Sequence, residues 1–214
     1  MLQCRLKSRK KKHTGADMAK KSGKRSNPRK KPISKSEINR DELVTEAVKG
    51  NYFRAWLIVL PSLMELEGIT PERVIEIWQI VTAYATGPAF TKTQVSGETR
   101  RAAELMGFSM PYKVWLDDIR TQGELDAAKR KLSDNAVYSA MSIICLGLDS
   151  ENVFDENTIR KIFLNASITR GELQAGVTTY EKLAEEVKAK GILIQPKGAE
   201  SVHMELYDTA AAEA

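Results

Sequence analysis

The first 36 residues of this chain cannot supply a hydrophobic core. They hold fourteen Lys or Arg and a single acid, Asp17, and between Lys20 and Lys35 the only aliphatic side chain is Ile33. So little apolar area cannot offset the entropy of ordering the backbone. Residues 1–36 are therefore expected to form a disordered basic arm, and folding is left to the remaining residues. There the charge changes sign: residues 37–214 hold nineteen bases and twenty-seven acids, so a net charge of +5 divides into +13 on the arm and −8 after it.

The chain has 214 residues, 42% of them hydrophobic, which is enough for one ordinary domain or two small ones. The expected organisation is a basic arm over 1–36, a helical domain over 37–194 and a polar, acidic, disordered tail over 195–214. Within the arm, the codons of Thr14-Gly15-Ala16-Asp17 can carry the ribosome-binding sequence AGGAG just ahead of Met18. Met18 is thus a candidate start, with 1–17 upstream of it. From Met18 to Ser36 there remain eight bases and no acid: Lys20, Lys21, Lys24, Arg25, Arg29, Lys30, Lys31 and Lys35.

Cys4 and Cys145 lie far apart and form no C-x-x-C pair, which fits a reducing cytoplasm. The longest apolar run, Ala55 to Leu60, stops at Pro61, far short of the roughly 20 residues needed to cross a membrane. The N-terminal charge is not followed by an apolar stretch, so no secretory signal is read. The expected location is cytoplasmic, with no membrane partner.

Local signals point to an all-α, multi-helix fold. Ser34 and Glu37 have capping-box spacing for a helix running to Val48, and Gly50-Asn51 breaks it. Tyr52 to Leu66 reads as a buried helix bent or ended near Pro61. Thr70-Pro71-Glu72 is a helix start, followed by an apolar stripe of Val74, Ile77, Trp78, Val81 and Ala85. Ser96 is positioned to cap a helix ending at Gly107, and a second short helix is expected from Met110 to Ile119. Helical spacing then runs from Leu125 to Ile144 as one helix, or as two broken near Ser133-Asp134-Asn135. Asp155 precedes another amphipathic face, and Thr169 and Thr178 open further helical turns up to Gly191. Ile192 to Ile194 is the one expected strand.

The basic arm is the strongest functional feature. Its cations can neutralise phosphates and release condensed counterions, giving affinity without sequence preference. It lacks aromatic residues, so it offers no base stacking. The competing reading is a solubilising tail. The second feature is the run Arg100-Arg101-Ala102-Ala103-Glu104-Leu105-Met106-Gly107-Phe108-Ser109-Met110-Pro111-Tyr112-Lys113-Val114-Trp115-Leu116, which resembles a helix-turn-helix near residues 97–119. Ala103 permits close approach, Gly107 makes the turn, and Ser109 caps the second helix. The resemblance implies DNA contacts from Ser109, Tyr112 and Lys113, with Arg100 and Arg101 near the backbone. Two departures stand against it: Lys113 occupies a normally apolar position, and Asp117 and Asp118 would repel phosphate. An ordinary helical hairpin fits the same residues.

Other constellations carry no chemistry. His13 and His203 fall in the two terminal segments without ligand partners, so no metal site is read, and no phosphate-cradling glycine loop occurs. Trp56, Trp78 and Trp115 are assigned to the core. No catalytic residue and no cofactor are assigned. The expected function is non-enzymatic binding of nucleic acid, DNA ahead of RNA. The rival is a helical protein-interaction or assembly module, through a protein partner or a homo-oligomer, with the arm as a tether. A surface patch of Phe53, Trp56, Leu57 and Leu60 would favour the rival. A cationic face around Arg100, Arg101 and Lys113 would favour DNA.

Overall fold

Five of the helix starts are fixed by a short polar side chain that accepts an otherwise unpaired backbone N–H. The computed structural model describes residues 39–87, 95–109, 112–198 and 201–208, so the arm and the Ser34–Glu37 pair lie outside the described residues. Asn39 accepts the Glu42 N–H at 3.3 Å and opens α1, Arg40–Val48. Gly50, at φ +66°, turns the chain into α2, Asn51–Met64. Thr70 accepts the Arg73 N–H at 3.3 Å and opens α3, Pro71–Thr86, as its sequence implied. α4 spans Val95–Met106 and ends on Gly107 at φ +74°. Ser96 therefore lies inside this helix rather than at its cap.

Thr121 and Glu124 form a complete capping box at the head of α5, Gln122–Ser150, which runs unbroken through Ser133-Asp134-Asn135 for 29 residues. Asp155 caps α6, Glu156–Ala175. Thr169 is internal to that helix, and Thr179, one place after the expected residue, caps α7, Tyr180–Ala189.

α2 is the centre of the molecule. Ala55, Trp56, Leu57, Ile58, Val59 and Leu60 are six consecutive fully buried residues, possible only for a helix covered on all sides. α5, α6 and α7 pack around it, with β1 and β2 at one edge. Pro61 neither ends nor interrupts α2, which continues through buried Ser62 and Leu63; the Pro61 carbonyl accepts the Glu65 N–H at 3.1 Å. α5 packs against α1, α2, α3, α4 and α6. At its crossing with α3, Gly147 lies against Val81: an added Cβ would meet both Val81 γ-methyls at 3.2 Å.

Three expectations are corrected. First, the second helix of the helix-turn-helix does not form over the described residues: 112–115 are irregular, Trp115 is extended at φ −105° and ψ 100°, and only Leu116–Asp118 make a 3₁₀ turn. The cause is Asn135 on α5. Its side chain accepts the Tyr112 N–H at 3.2 Å and donates to the Tyr112 carbonyl at 2.9 Å, satisfying both main-chain groups outside any helix.

Second, residues 195–197 and 201–206 are not an irregular tail. β1, Ile192–Lys197, pairs antiparallel with β2, Ser201–Leu206, with Ile194 opposite Met204. Val202 and Met204 are buried and alternate with exposed His203 and Glu205, the period-two pattern of a strand with one covered face. The folded unit therefore reaches Asp208 rather than closing at 194, and 209–214 lie outside the described residues. Third, Trp115 is not a core residue; it is 72% exposed.

Candidate nucleic-acid interface

One face of α5 lines a groove. Glu124, Ala127, Ala128, Lys131 and Asp134 recur at three- and four-residue spacing and form its floor, about 15 Å long. Three hollows succeed one another along it. The first lies under Lys113, Val114 and Trp115; the second, of about 510 Å³, is flanked by Tyr112 and Arg130 and shares Lys131 with the first; the third shares Asp134 and Gln174 with the second and reaches Arg170 and Tyr180. One wall is the extended segment 112–115, held in place by Asn135. In the turn that follows, Arg120 donates to the carbonyls of Asp117 at 2.7 Å and Ile119 at 3.1 Å. Arg40 pairs with the Asp117 carboxylate.

Cations stand over rings within and beside this groove. The Lys131 ammonium is 5.9 Å from the Tyr112 ring centroid, the Arg170 guanidinium 5.5 Å from that of Phe108, and the Arg54 guanidinium 5.7 Å from that of Tyr180. The groove also holds acids, and two are already engaged. Glu124 accepts the N–H groups of Arg120 and Thr121 at 2.7 and 2.9 Å, which holds its carboxyl below the usual value. Asp134 is pushed the other way: burial raises its pKa, against the opposing pull of Arg170 and of a hydrogen bond from Gln174. Burial likewise raises Tyr180, partly offset by Arg54. Lys113, Arg130 and Lys131 make no ion pair among the described residues.

The described residues among those assigned to DNA contact do not share one surface. Lys20, Lys21, Lys24, Arg25, Arg29, Lys30, Lys31 and Lys35 lie outside the described residues. Tyr112 and Lys113 line the groove. Arg101 is committed elsewhere: it donates two hydrogen bonds of 3.0 Å to Asp149 and one of 3.1 Å to Glu156, and these partners raise its pKa. Asp149 is fourteen residues beyond Asn135, which anchors Tyr112, so the two anchor points are roughly 21 Å apart along α5. Arg100 is exposed on α4, and Ser109 is exposed just after Gly107.

The groove residues that sequence reasoning missed are Trp115, Arg130, Lys131 and Arg170. A signal for two of them is present in the basic triplet Lys129-Arg130-Lys131, which stands out in an otherwise acidic body. The contribution of Arg170 depends on how α6 packs against α5 and leaves no local signal. Among the described residues no group of three or more His, Cys, Asp or Glu is placed to hold a metal ion, and no helix is long and apolar enough to cross a membrane. No protein-family model matches the chain, and neither a curated protein nor a solved structure matches it.

Proposed function

We propose that this chain is a non-enzymatic nucleic-acid-binding protein in which the N-terminal arm supplies the phosphate contacts. The observation that carries the reading is eight Lys and Arg with no acid between Met18 and Ser36, set on a remainder of net charge −8. Phosphate repels such a body, so affinity has to come from the arm. A preference for DNA depends on a duplex-reading helix after Gly107. With 112–115 irregular, the reading is nucleic acid without base recognition in the major groove. Gel-shift titrations of the full chain and of a chain lacking residues 1–36 test it. The full chain is expected to bind with a log–log salt slope no steeper than about −7, and the shortened chain to lose most of that affinity. Undiminished binding by the shortened chain overturns the role given to the arm.

A helical assembly module is the second reading. A patch of Phe53, Trp56, Leu57 and Leu60 cannot serve it, because Trp56, Leu57 and Leu60 are fully buried. What favours it instead is Leu164 and Ile168, 62% and 58% exposed and one turn apart on α6.

A further inference from the structure

We infer that the groove along α5 is a stacking site for unpaired bases of a single-stranded nucleic acid, with Trp115 as its platform. The inference rests on the nucleic-acid-binding function proposed for the chain and specifies the form of nucleic acid. A tryptophan 72% exposed is costly to leave against water, since it presents one of the largest apolar surfaces of any side chain. Its position is not the accident of a loose loop: Asn135 of α5 holds the segment at Tyr112, and Arg40 of α1 pairs with Asp117 two residues past the indole. The indole is thus presented on a fixed strand of backbone at one end of the groove, with Tyr112 three residues away toward its middle.

The side chains between these two rings decide the chemistry of the occupant. Lys113 and Lys131 line the hollow that Trp115 covers, Arg130 lines the next, and none of the three is ion-paired among the described residues. Cations without an ion pair, beside the exposed Trp115 ring and the half-buried Tyr112 ring, suit a ligand that carries an anionic backbone and a π-face in each repeat. A single strand of nucleic acid has that repeat, and base stacking on an aromatic ring tolerates any sequence. A duplex hides its π-faces, and no helix of this segment is available to enter a major groove. The arm, which has no aromatic residue, and the groove, which has few cations, are then complementary: one supplies charge and the other stacking.

Intrinsic fluorescence of the full-length chain, titrated with oligo(dT) and with a duplex of equal length, tests the inference. Trp56 is fully buried and Trp78 is half-buried, so quenching by a stacked base reports chiefly on Trp115. Oligo(dT) is expected to quench the emission. Trp115→Ala should abolish the quench and weaken oligo(dT) binding roughly 5- to 150-fold, leaving duplex binding unchanged. Trp115→Phe should restore part of the affinity, and Lys113→Glu combined with Lys131→Glu should weaken it with Trp115 intact.

If Trp115→Ala and the double Lys variant bind oligo(dT) like the unaltered chain, while a full-length chain with the eight arm bases changed to Gln does not bind, the groove inference is overturned and the arm reading stands. Absence of binding by the unaltered chain to either oligonucleotide overturns both. Quenching by a proline-rich peptide but not by oligo(dT) overturns the inference in favour of a peptide groove.

Discussion

Trp56 and Trp115 are chemically identical and flanked by similar apolar neighbours, yet one is fully buried and the other is the most exposed of the large hydrophobic side chains described. The difference lies in backbone period. In α2 a residue's neighbours three and four places away share its face, and that face is wrapped on all sides. In the extended segment after Tyr112 the side chains alternate, so half-buried Val114 and Leu116 turn inward and Trp115 between them turns out. Reading 110–119 as helix therefore misplaced the one residue on which the candidate site most depends.

Two glycines show the same dependence on surroundings. Gly171 sits in exposed α6 with nothing within 4 Å of an added Cβ, so Gly171→Ala is expected to raise stability by about 0.5–1 kcal/mol through helix propensity alone. Gly147→Ala gains the same propensity but drives a methyl group into Val81, including its Cα at 3.3 Å. Crowding between two backbones wins there, and a loss of about 1–3 kcal/mol is expected. Urea unfolding of both variants checks the pair; stabilisation by Gly147→Ala would show that α3 and α5 can separate.

Among the elements, some helix boundaries were legible and others were not: Ser96 and Thr169 are internal, and the Thr121 cap was not anticipated. Thr70-Pro71, Asp155 and the end at Gly107 are as the residues implied, because a cap is a contact between groups three positions apart and needs no other part of the fold. The terminal hairpin was not legible. Ile192 to Ile194 announced a strand, but its partner, Ser201–Leu206, contains His203 and Glu205 and reads as polar until it is known that only Val202 and Met204 face the core. Met204→Ala is expected to cost about 2–4 kcal/mol, and removal of the chain after Lys197 more than that. Thermal or urea denaturation tests this, and a truncated chain as stable as the full one would return the segment to the status of a tail.

At the scale of the whole molecule, the helix starts also set the response to acid. Glu72, Glu124, Asp155, Glu156 and Glu181 all have pKa values held below their usual 4.5 for Glu and 3.8 for Asp, chiefly by hydrogen bonds to helix-start backbone and hydroxyl groups or, for Glu156, to Arg160 and Arg101. A carboxylate whose folded pKa is lowered contributes stability that is present above its unfolded pKa and lost as pH falls through the folded one. Asp134, with its raised pKa, acts in the opposite sense: its contribution is complete at low pH and lost as pH rises through the raised value. The lowered groups outnumber it. The urea midpoint is therefore expected to stay nearly level from neutral pH to about 5 and to fall below about 4.5. Glu124→Gln should flatten part of that fall, and a midpoint that rises on acidification would contradict the balance.

The residues alone determined the separation of a cationic arm from an acidic helical body, because charge and apolar content act over any conformation of the chain. They also determined some helix boundaries, the starts at Thr70 and Asp155 and the end at Gly107, which are contacts within a single turn. Only the tertiary structure decided that Arg101 is spent on Asp149 and Glu156, that Asn135 holds 112–115 out of a helix, and that Trp115, Lys131 and Arg170 come to line one groove. These are meetings between residues some twenty to sixty positions apart, brought about by the packing of α5 against its neighbours, and no local pattern records them.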